Sequence, residues 1–300
     1  MKNVTITFDY EGSWGMPFAA QYDLAATTQQ LLRVLADNHA VAVFFVTGKL
    51  IEQHPDIIRS IHEHGHEIGF HGYTHEHMHE LTEPELAQLR RNLAQTGQAL
   101  SSITEYTPKG FRAPYLMGPT FYDAAVYQTL ADRGFAWISN REIRIPEELF
   151  RPDRLKMGIG LLSITWLRQI MLVGLNANLI TSERHFGGRR VLSALRWLLG
   201  ERSPFMRPEG LREFPLTSPL DCDLVGFPHP MSDSTPAFIE YATRVIKDCY
   251  DLSGTYFNIN SHDWITGTSN RIQILDAILK HINATSGAKY YRPGLDGDAR

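Results

Sequence analysis

Cysteine is scarce. Only Cys222 and Cys249 occur in 300 residues. Two thiols cannot build a disulfide framework, so a pair of buried, unbridged cysteines is expected. An excess of basic charge is also missing. The net charge of −4 gives no electrostatic reason to expect a nucleic-acid partner. There is no repeat of fixed period, no low-complexity tract and no Pro/Gly/Ser-rich linker, so one domain over residues 1–300 is the expectation. "MKNVTITFDYEG" enters an alternating run directly, without a basic segment, an apolar stretch and a cleavage site. With the two cysteines, this points to a cytoplasmic chain.

A long uncharged apolar run is absent as well. The most apolar stretch lies within residues 157–205, but Arg168, Asn176 and Asn178 interrupt it. A membrane-spanning helix needs about 20 apolar residues, so none is assigned. One reading of this insert is two or three helices packed on the core. The other is peripheral membrane contact through residues 157–200. Arg184, Arg189, Arg190 and Arg196 lie there beside Trp197, Leu198 and Leu199. The second reading extends the cytoplasmic expectation to the inner membrane surface.

What is present is an alternation of two periods. "VTITF" (4–8) alternates as a strand does, and "AVAVFFV" (40–46) is a continuous apolar run suited to a strand buried on both faces. Helical spacing follows in "TTQQLLRVLADN" (27–38), with a threonine start, and in "PDIIRSIHEHG" (55–65), which opens on proline. Further strands are read at 66–70, 109–115, 136–139, 211–216, 254–262 and 288–292. Further helices are read at 83–103, 121–135, 236–250 and 271–282. Such alternation predicts parallel strands with right-handed crossovers. The fold class is α/β, a distorted (β/α) barrel of seven or eight strands with a helical apolar insertion. An open doubly wound sheet is the alternative.

In such folds chemistry sits at the C-terminal strand ends. Asp9 and Glu11 leave an extended chain on the same face, where two carboxylates repel unless a cation lies beside them. "EIGFHGYTHEHMHE" (67–80) carries His71, His75, His77 and His79. His71 and His75 are four apart, so one turn or a tight loop lets both imidazoles reach one ion. Gly72 permits an unusual φ between them. One carboxylate with two imidazoles leaves coordination positions open for water. Arg112 can hold a carboxylate ionised, and Pro114 stiffens the chain that presents Tyr115. His262 can act as an acid or base. Each has a plainer reading: solvated loop acids for Asp9 and Glu11, a polar loop for the histidines, a surface ion pair for Arg112, and a core or capped histidine for His262. His66 is read as structural. His62, His64, His77 and His79 are read as solvated.

Together these motifs resemble the polysaccharide deacetylase (NodB-homology) family, carbohydrate esterase family 4. "TFDYEG" resembles its T-F-D-D-G motif. "GHEIGFHGYTHEHM" resembles G-H-E-I-G followed by H-[ST]-x-x-H, and "GFRAPY" its arginine–proline motif. The close likeness covers about residues 4–140. Three departures stand out. Tyr10 replaces the second aspartate and the acid moves to Glu11, Gly72 replaces Ser/Thr, and "INSHDW" replaces leucine–histidine–proline.

The resemblance implies a role for each position. Asp9 would be the general base, and Glu11, His71 and His75 the metal ligands. Arg112 would orient Asp9, and the Tyr115 N–H would bind the oxyanion. His262 would be the acid, with His229 of "FPHPM" as its rival and Asp223 or Asp263 as orienting partner. A divalent metal is implied, zinc foremost, with cobalt, nickel or iron permitted by the ligand types. The expected reaction is removal of an N-acyl group from an amino sugar or glycan precursor, intracellular and lipid-linked in one version. An allantoinase-like amidohydrolase acting on a small amide and a non-catalytic carbohydrate-binding protein are the alternatives.

Overall fold

β1 (Lys2–Tyr10) is the centre of the sheet, and its sequence shows why. Val4, Ile6, Phe8 and Tyr10 project to one face and join a large apolar cluster. Thr5, Thr7 and Asp9 project to the other, buried as well. After β1 the chain alternates through α1 (Leu24–Asp37), β2 (Ala42–Val46), α2 (Gly48–Gln53), α3 (Pro55–Glu63), β3 (Glu67–Phe70), α4 (Glu83–Thr104), β4 (Gly110–Phe111), α5 (Ala124–Asp132) and β5 (Trp137–Ile138). Beyond residue 202 come β6 (Phe205–Met206), β7 (Arg212–Glu213), α6 (Asp221–Leu224), α7 (Pro236–Leu252), β8 (Tyr256–His262), α8 (Asp263–Thr266), α9 (Ile272–Ala284) and β9 (Ala288–Tyr290). The computed structural model describes residues 1–12, 22–78, 80–116, 123–140, 203–225 and 235–297. The insert expected within 157–205, except for its last residues, lies outside them, as does His229.

The strand order is β6-β7-β5-β4-β3-β2-β1-β8, with β9 also on β1. Every pairing is parallel except β6 with β7. Beyond β7, the Thr217 N–H donates to the Asn258 carbonyl of β8 at 3.0 Å. The sheet thus curls into a half-barrel, in keeping with the (β/α) barrel expectation rather than the open sheet. Residues near both ends of the described chain share it, because β8 and β9 both pair with β1.

Two cores result. Outside the curl, Ile6, Phe8 and Phe44 pack against Leu31, Leu35, Ile58 and Ile278 of the helices. Inside it, Val43, Phe45, Trp137, Phe214, Tyr256 and Tyr291 form a plug. Glycines make room for that plug. A Cβ on Gly69 would lie 2.6 Å from the Phe45 ring, and one on Gly110 would lie 2.2 Å from the Trp137 ring. Above the plug the interior turns polar, and the candidate site sits there.

Some expectations need correction. α1 begins at Leu24, capped by the Asp23 carboxylate, which accepts from the Ala26 N–H at 3.0 Å. The threonine start predicted at 27 instead lies within the helix, with the Thr28 hydroxyl donating back to the Leu24 carbonyl. α2, six residues long, is too short to show periodicity and was not expected. Cys249 is buried but Cys222 is only half-buried, and neither forms a disulfide. Among the described residues no helix is long and apolar enough to cross a membrane.

Candidate active site and metal centre

Asp9 lies at the end of β1 with Arg112 beneath it. Arg112 is wholly buried, a position a guanidinium tolerates only when its donors are engaged. Its Nη1 donates to Asp9 Oδ1 at 2.7 Å and to Thr7 Oγ1 at 3.0 Å. Nε and Nη2 donate to the Ser139 carbonyl and hydroxyl at 2.9 and 2.7 Å. The Phe45 ring supports its flat face, 4.2 Å away. Asn260 of β8 also accepts from Arg112, and it donates to Asp9 Oδ2 at 3.2 Å. Burial on its own would raise the Asp9 pKa. Arg112, His71 and His262 outweigh it and hold the carboxyl below the usual range.

Glu11, His71 and His75 converge above Asp9. Glu11 Oε2 lies 2.6 Å from His75 Nε2 and 3.5 Å from His71 Nε2. Oε1 accepts from the Trp264 indole N–H at 2.8 Å. The backbone N–H groups of Glu11 and Gly12 donate to Asp263 at 3.0 and 3.2 Å, and Tyr22 donates its hydroxyl to the same carboxylate. His71 Nδ1 lies 2.9 Å from the Arg112 carbonyl. Donation to that carbonyl leaves Nε2 as the lone-pair nitrogen facing Glu11. Burial favours the neutral form of Glu11, but both imidazoles oppose it strongly and keep the carboxyl ionised. Burial lowers the His71 pKa, Asp9 and Glu11 raise it, and the net shift is upward.

The loop between the two histidines is built for this convergence. Gly72 has φ +73° and His75 φ +62°, both left-handed. A Cβ on Gly72 would meet Pro114 Cγ at 3.0 Å. Glu76 folds the turn back, accepting from the Tyr73 and Thr74 N–H groups at 3.0 and 2.7 Å. The residues therefore meet on a tight loop rather than a helix. Tyr115, at φ +60°, stacks on His77 and stands edge-on to His75.

These donors fit a divalent cation. One carboxylate oxygen and two imidazole nitrogens lie within 4.8 Å of one another, all buried. Glu11 Oε2 is buried and accepts no hydrogen bond of good geometry, the condition a coordinated ion would relieve. The set of one oxygen and two nitrogens suits zinc-type ions.

His262, at the end of β8, completes the rim. Its Nε2 lies 3.8 Å from Asp9 Oδ2. Its Nδ1–H donates to Asp221 Oδ1 at 2.6 Å, and its backbone N–H to Asp221 Oδ2 at 2.7 Å. Burial lowers its pKa, but Asp221 more than compensates, and the imidazole is pushed up to about 10. The orienting partner is thus Asp221. Asp263, expected in that role, binds the Glu11 backbone instead. The Asp223 side chain, the other candidate, lies outside what is described. Sequence reasoning also missed Asn260, Glu76 and Tyr22. His66 is buried, its Nδ1 accepting from the Ala42 N–H at 3.2 Å, and it is structural as expected.

Residues 1–137 match the family model for polysaccharide deacetylases. The likeness to that family lies in this stretch. A peptidoglycan-N-acetylglucosamine deacetylase of Bacillus cereus is 33% identical over 88 residues, 29% of this chain and 31% of that protein. A chitooligosaccharide deacetylase of Rhizobium leguminosarum is 35% identical over 75 residues, 25% of this chain and 34% of that one. The deacetylase match thus spans about a third of these relatives. Among solved structures, a Mycobacterium smegmatis protein assigned to the polysaccharide deacetylases aligns over 95% of this chain and 85% of its own, at TM-score 0.62 and 20% identity. Puue allantoinase aligns over 97% and 88%, at TM-score 0.61 and 13% identity. Both likenesses establish the barrel fold alone.

Proposed function

We propose that this chain is a metal-dependent hydrolase that removes the acetyl group from an N-acetylated amino sugar within a glycan. The observation that carries it is the convergence of three units. They are an ionised Asp9 held by Arg112, a Glu11–His71–His75 ligand set, and a histidine, His262, held by Asp221 and facing Asp9 at 3.8 Å. The family match and the relatives named for peptidoglycan and chitooligosaccharide deacetylation support the same reading.

Glu11, His71 and His75 would hold a divalent ion, which would supply Lewis acidity toward the acyl oxygen and the attacking water. Asp9 receives that water's proton. Arg112 occupies Oδ1, which leaves Oδ2 as the accepting oxygen, steadied by Asn260. The Tyr115 N–H, on its left-handed turn, donates to the developing oxyanion. His262 gives its Nε2 proton to the departing amine as the C–N bond breaks, with Asp221 supporting the charged ring. Acetate and the free amine are the products. Zinc is the ion we favour.

A groove of about 800 Å³ opens beside Glu11 and His75, lined by Tyr22, Lys49, Gln53, His54 and Tyr73. Aromatic faces and hydrogen-bonding groups together suit a sugar chain. We assign the substrate to the cytoplasmic side, as a glycan precursor that a lipid can carry, with residues 157–200 resting on the membrane. Sedimentation with anionic vesicles tests this, and no binding by the whole chain rules the membrane part out.

The central test is acetate release from N-acetylglucosamine oligomers, with allantoin as control. Asp9→Asn is expected to reduce turnover by about 100-fold or more while the bound metal is retained. Near wild-type turnover in that variant would refute the base assignment. Turnover of allantoin instead of the oligomers would refute the substrate class.

A further inference from the structure

A second group of metal-ligating side chains lies beside the first. Asp221, Cys222 and His262 each offer one ligand atom, all within 4.8 Å of one another. Asp221 and Cys222 are neighbours on α6, and His262 faces them from the end of β8. The carboxylate is held in place by its neighbours. Asp221 Oδ2 accepts from the His262 N–H and the Thr266 hydroxyl, both at 2.7 Å. Oδ1 accepts from the Cys222 N–H at 2.8 Å and from His262 Nδ1–H at 2.6 Å. Cys222 is half-buried against the Val225–Trp264–Ile265 cluster.

We propose that Asp221, Cys222 and His262 form a second, inhibitory site for a thiophilic divalent cation of the zinc or cobalt type. A thiolate, an imidazole and a carboxylate select such ions over magnesium or calcium. Binding displaces two protons, the thiol proton of Cys222 and the proton that Nδ1 shares with Asp221 Oδ1. The consequence for His262 follows from valence. Its ring can become imidazolium only if both nitrogens carry protons. With Nδ1 on a metal, that form is closed, and the proton left on Nε2 can depart only by forming an imidazolate, so the ring becomes a poorer acid. Ions beyond those filling the Glu11–His71–His75 set would therefore switch hydrolysis off.

The metal-binding half of this inference is independent of the proposed function, whereas the inhibitory half rests on it. The metal-free full chain is titrated with cobalt(II), followed by dialysis stoichiometry and by thiolate-to-cobalt charge-transfer absorption. Two ions per chain are expected, the second bringing the charge-transfer band. Cys222→Ser should bind one ion without that band, and Cys249→Ser should match the wild type. Cys222→Ala, measured the same way, guards against a packing effect of serine. The single ion each variant retains reports that it has folded. Excess zinc should lower wild-type acetate release by about 100-fold and spare Cys222→Ser. A wild type without the band, a band that survives in Cys222→Ser, or a second ion retained by that variant would overturn the site. A band that follows Cys222 in a chain with no deacetylation at any metal loading would support the site and refute the hydrolase reading.

Discussion

Trp264 shows how much of the candidate metal centre depends on residues outside its donor set. Its indole N–H, donating to Glu11 Oε1 at 2.8 Å, decides which carboxylate oxygen faces the two imidazoles. Outer partners of this kind typically contribute 10–100-fold to metal affinity. Trp264→Phe keeps an aromatic ring, though a smaller one, and removes the donor. It should weaken zinc binding by about 10-fold or more, measured by competition with a chromophoric chelator. Unchanged affinity would show that Glu11 is held by its neighbours alone. Asp263 acts one step further out. It is wholly buried, and burial pushes its pKa up to about 7 although Tyr22 and the Glu11 N–H favour its anion. It fixes the turn after β1 that carries Glu11, so it serves the Glu11 backbone as Trp264 serves its side chain.

Among elements, the loop after β3 carries the sharpest demand. Gly72 sits between His71 and His75 at φ +73°, with Pro114 and Met78 closing over it. Gly72→Ala must accept a strained backbone and a tight contact together. A loss of about 1–3 kcal/mol in unfolding free energy is expected, with weaker zinc binding, read from urea midpoints and the same competition assay. Gly97, inside α4, is the contrast, since a Cβ there meets nothing within 4 Å. Gly97→Ala should stabilise by about 0.5–1 kcal/mol and leave metal affinity alone. If the two substitutions gave equal effects, the assigned role of the loop would be wrong. Of this element, the glycine and the spacing of His71 and His75 are legible in sequence. The turn that joins them is not, because Glu76 closes it through hydrogen bonds to the Tyr73 and Thr74 backbone.

At the scale of the whole molecule, Glu67 ties the barrel interior to the chain's return. It accepts from the Trp137 indole at 3.1 Å and from the Gly294 N–H at 2.9 Å, joining β3 to β5 and to the segment after β9. Burial pushes its pKa up to about 7 against those donors. The folded chain therefore holds this proton more tightly than the unfolded chain does. The resulting stability is fully present below the ordinary glutamate pKa of about 4.3 and is lost as pH rises through about 7. Glu67→Gln keeps a neutral acceptor throughout. The difference in unfolding free energy between variant and wild type should move in the variant's favour from pH 5 to 8, by on the order of 2–3 kcal/mol. A difference independent of pH would show that Glu67 ionises in the fold as it does in the unfolded chain.

Local periodicity settled a good part of this protein in advance. The two-residue repeat of β1 puts Thr5, Thr7 and Asp9 on one face with Glu11 following, and alternating strand and helix signals imply a parallel, curled sheet. Strand-end chemistry pointed to Arg112, His71, His75 and His262, since parallel sheets collect their C-terminal ends on one rim. Partner choice was beyond its reach. Asp221 rather than Asp263 holds His262, Asn260 steadies Asp9, and Trp264 reaches Glu11. These pairings depend on strand register and on the direction each side chain leaves its backbone, across separations of 41 to 253 residues. No local repeat encodes those quantities. They are decided when β8 docks beside β1 in register, from Asn3 opposite Tyr256 to Asp9 opposite His262.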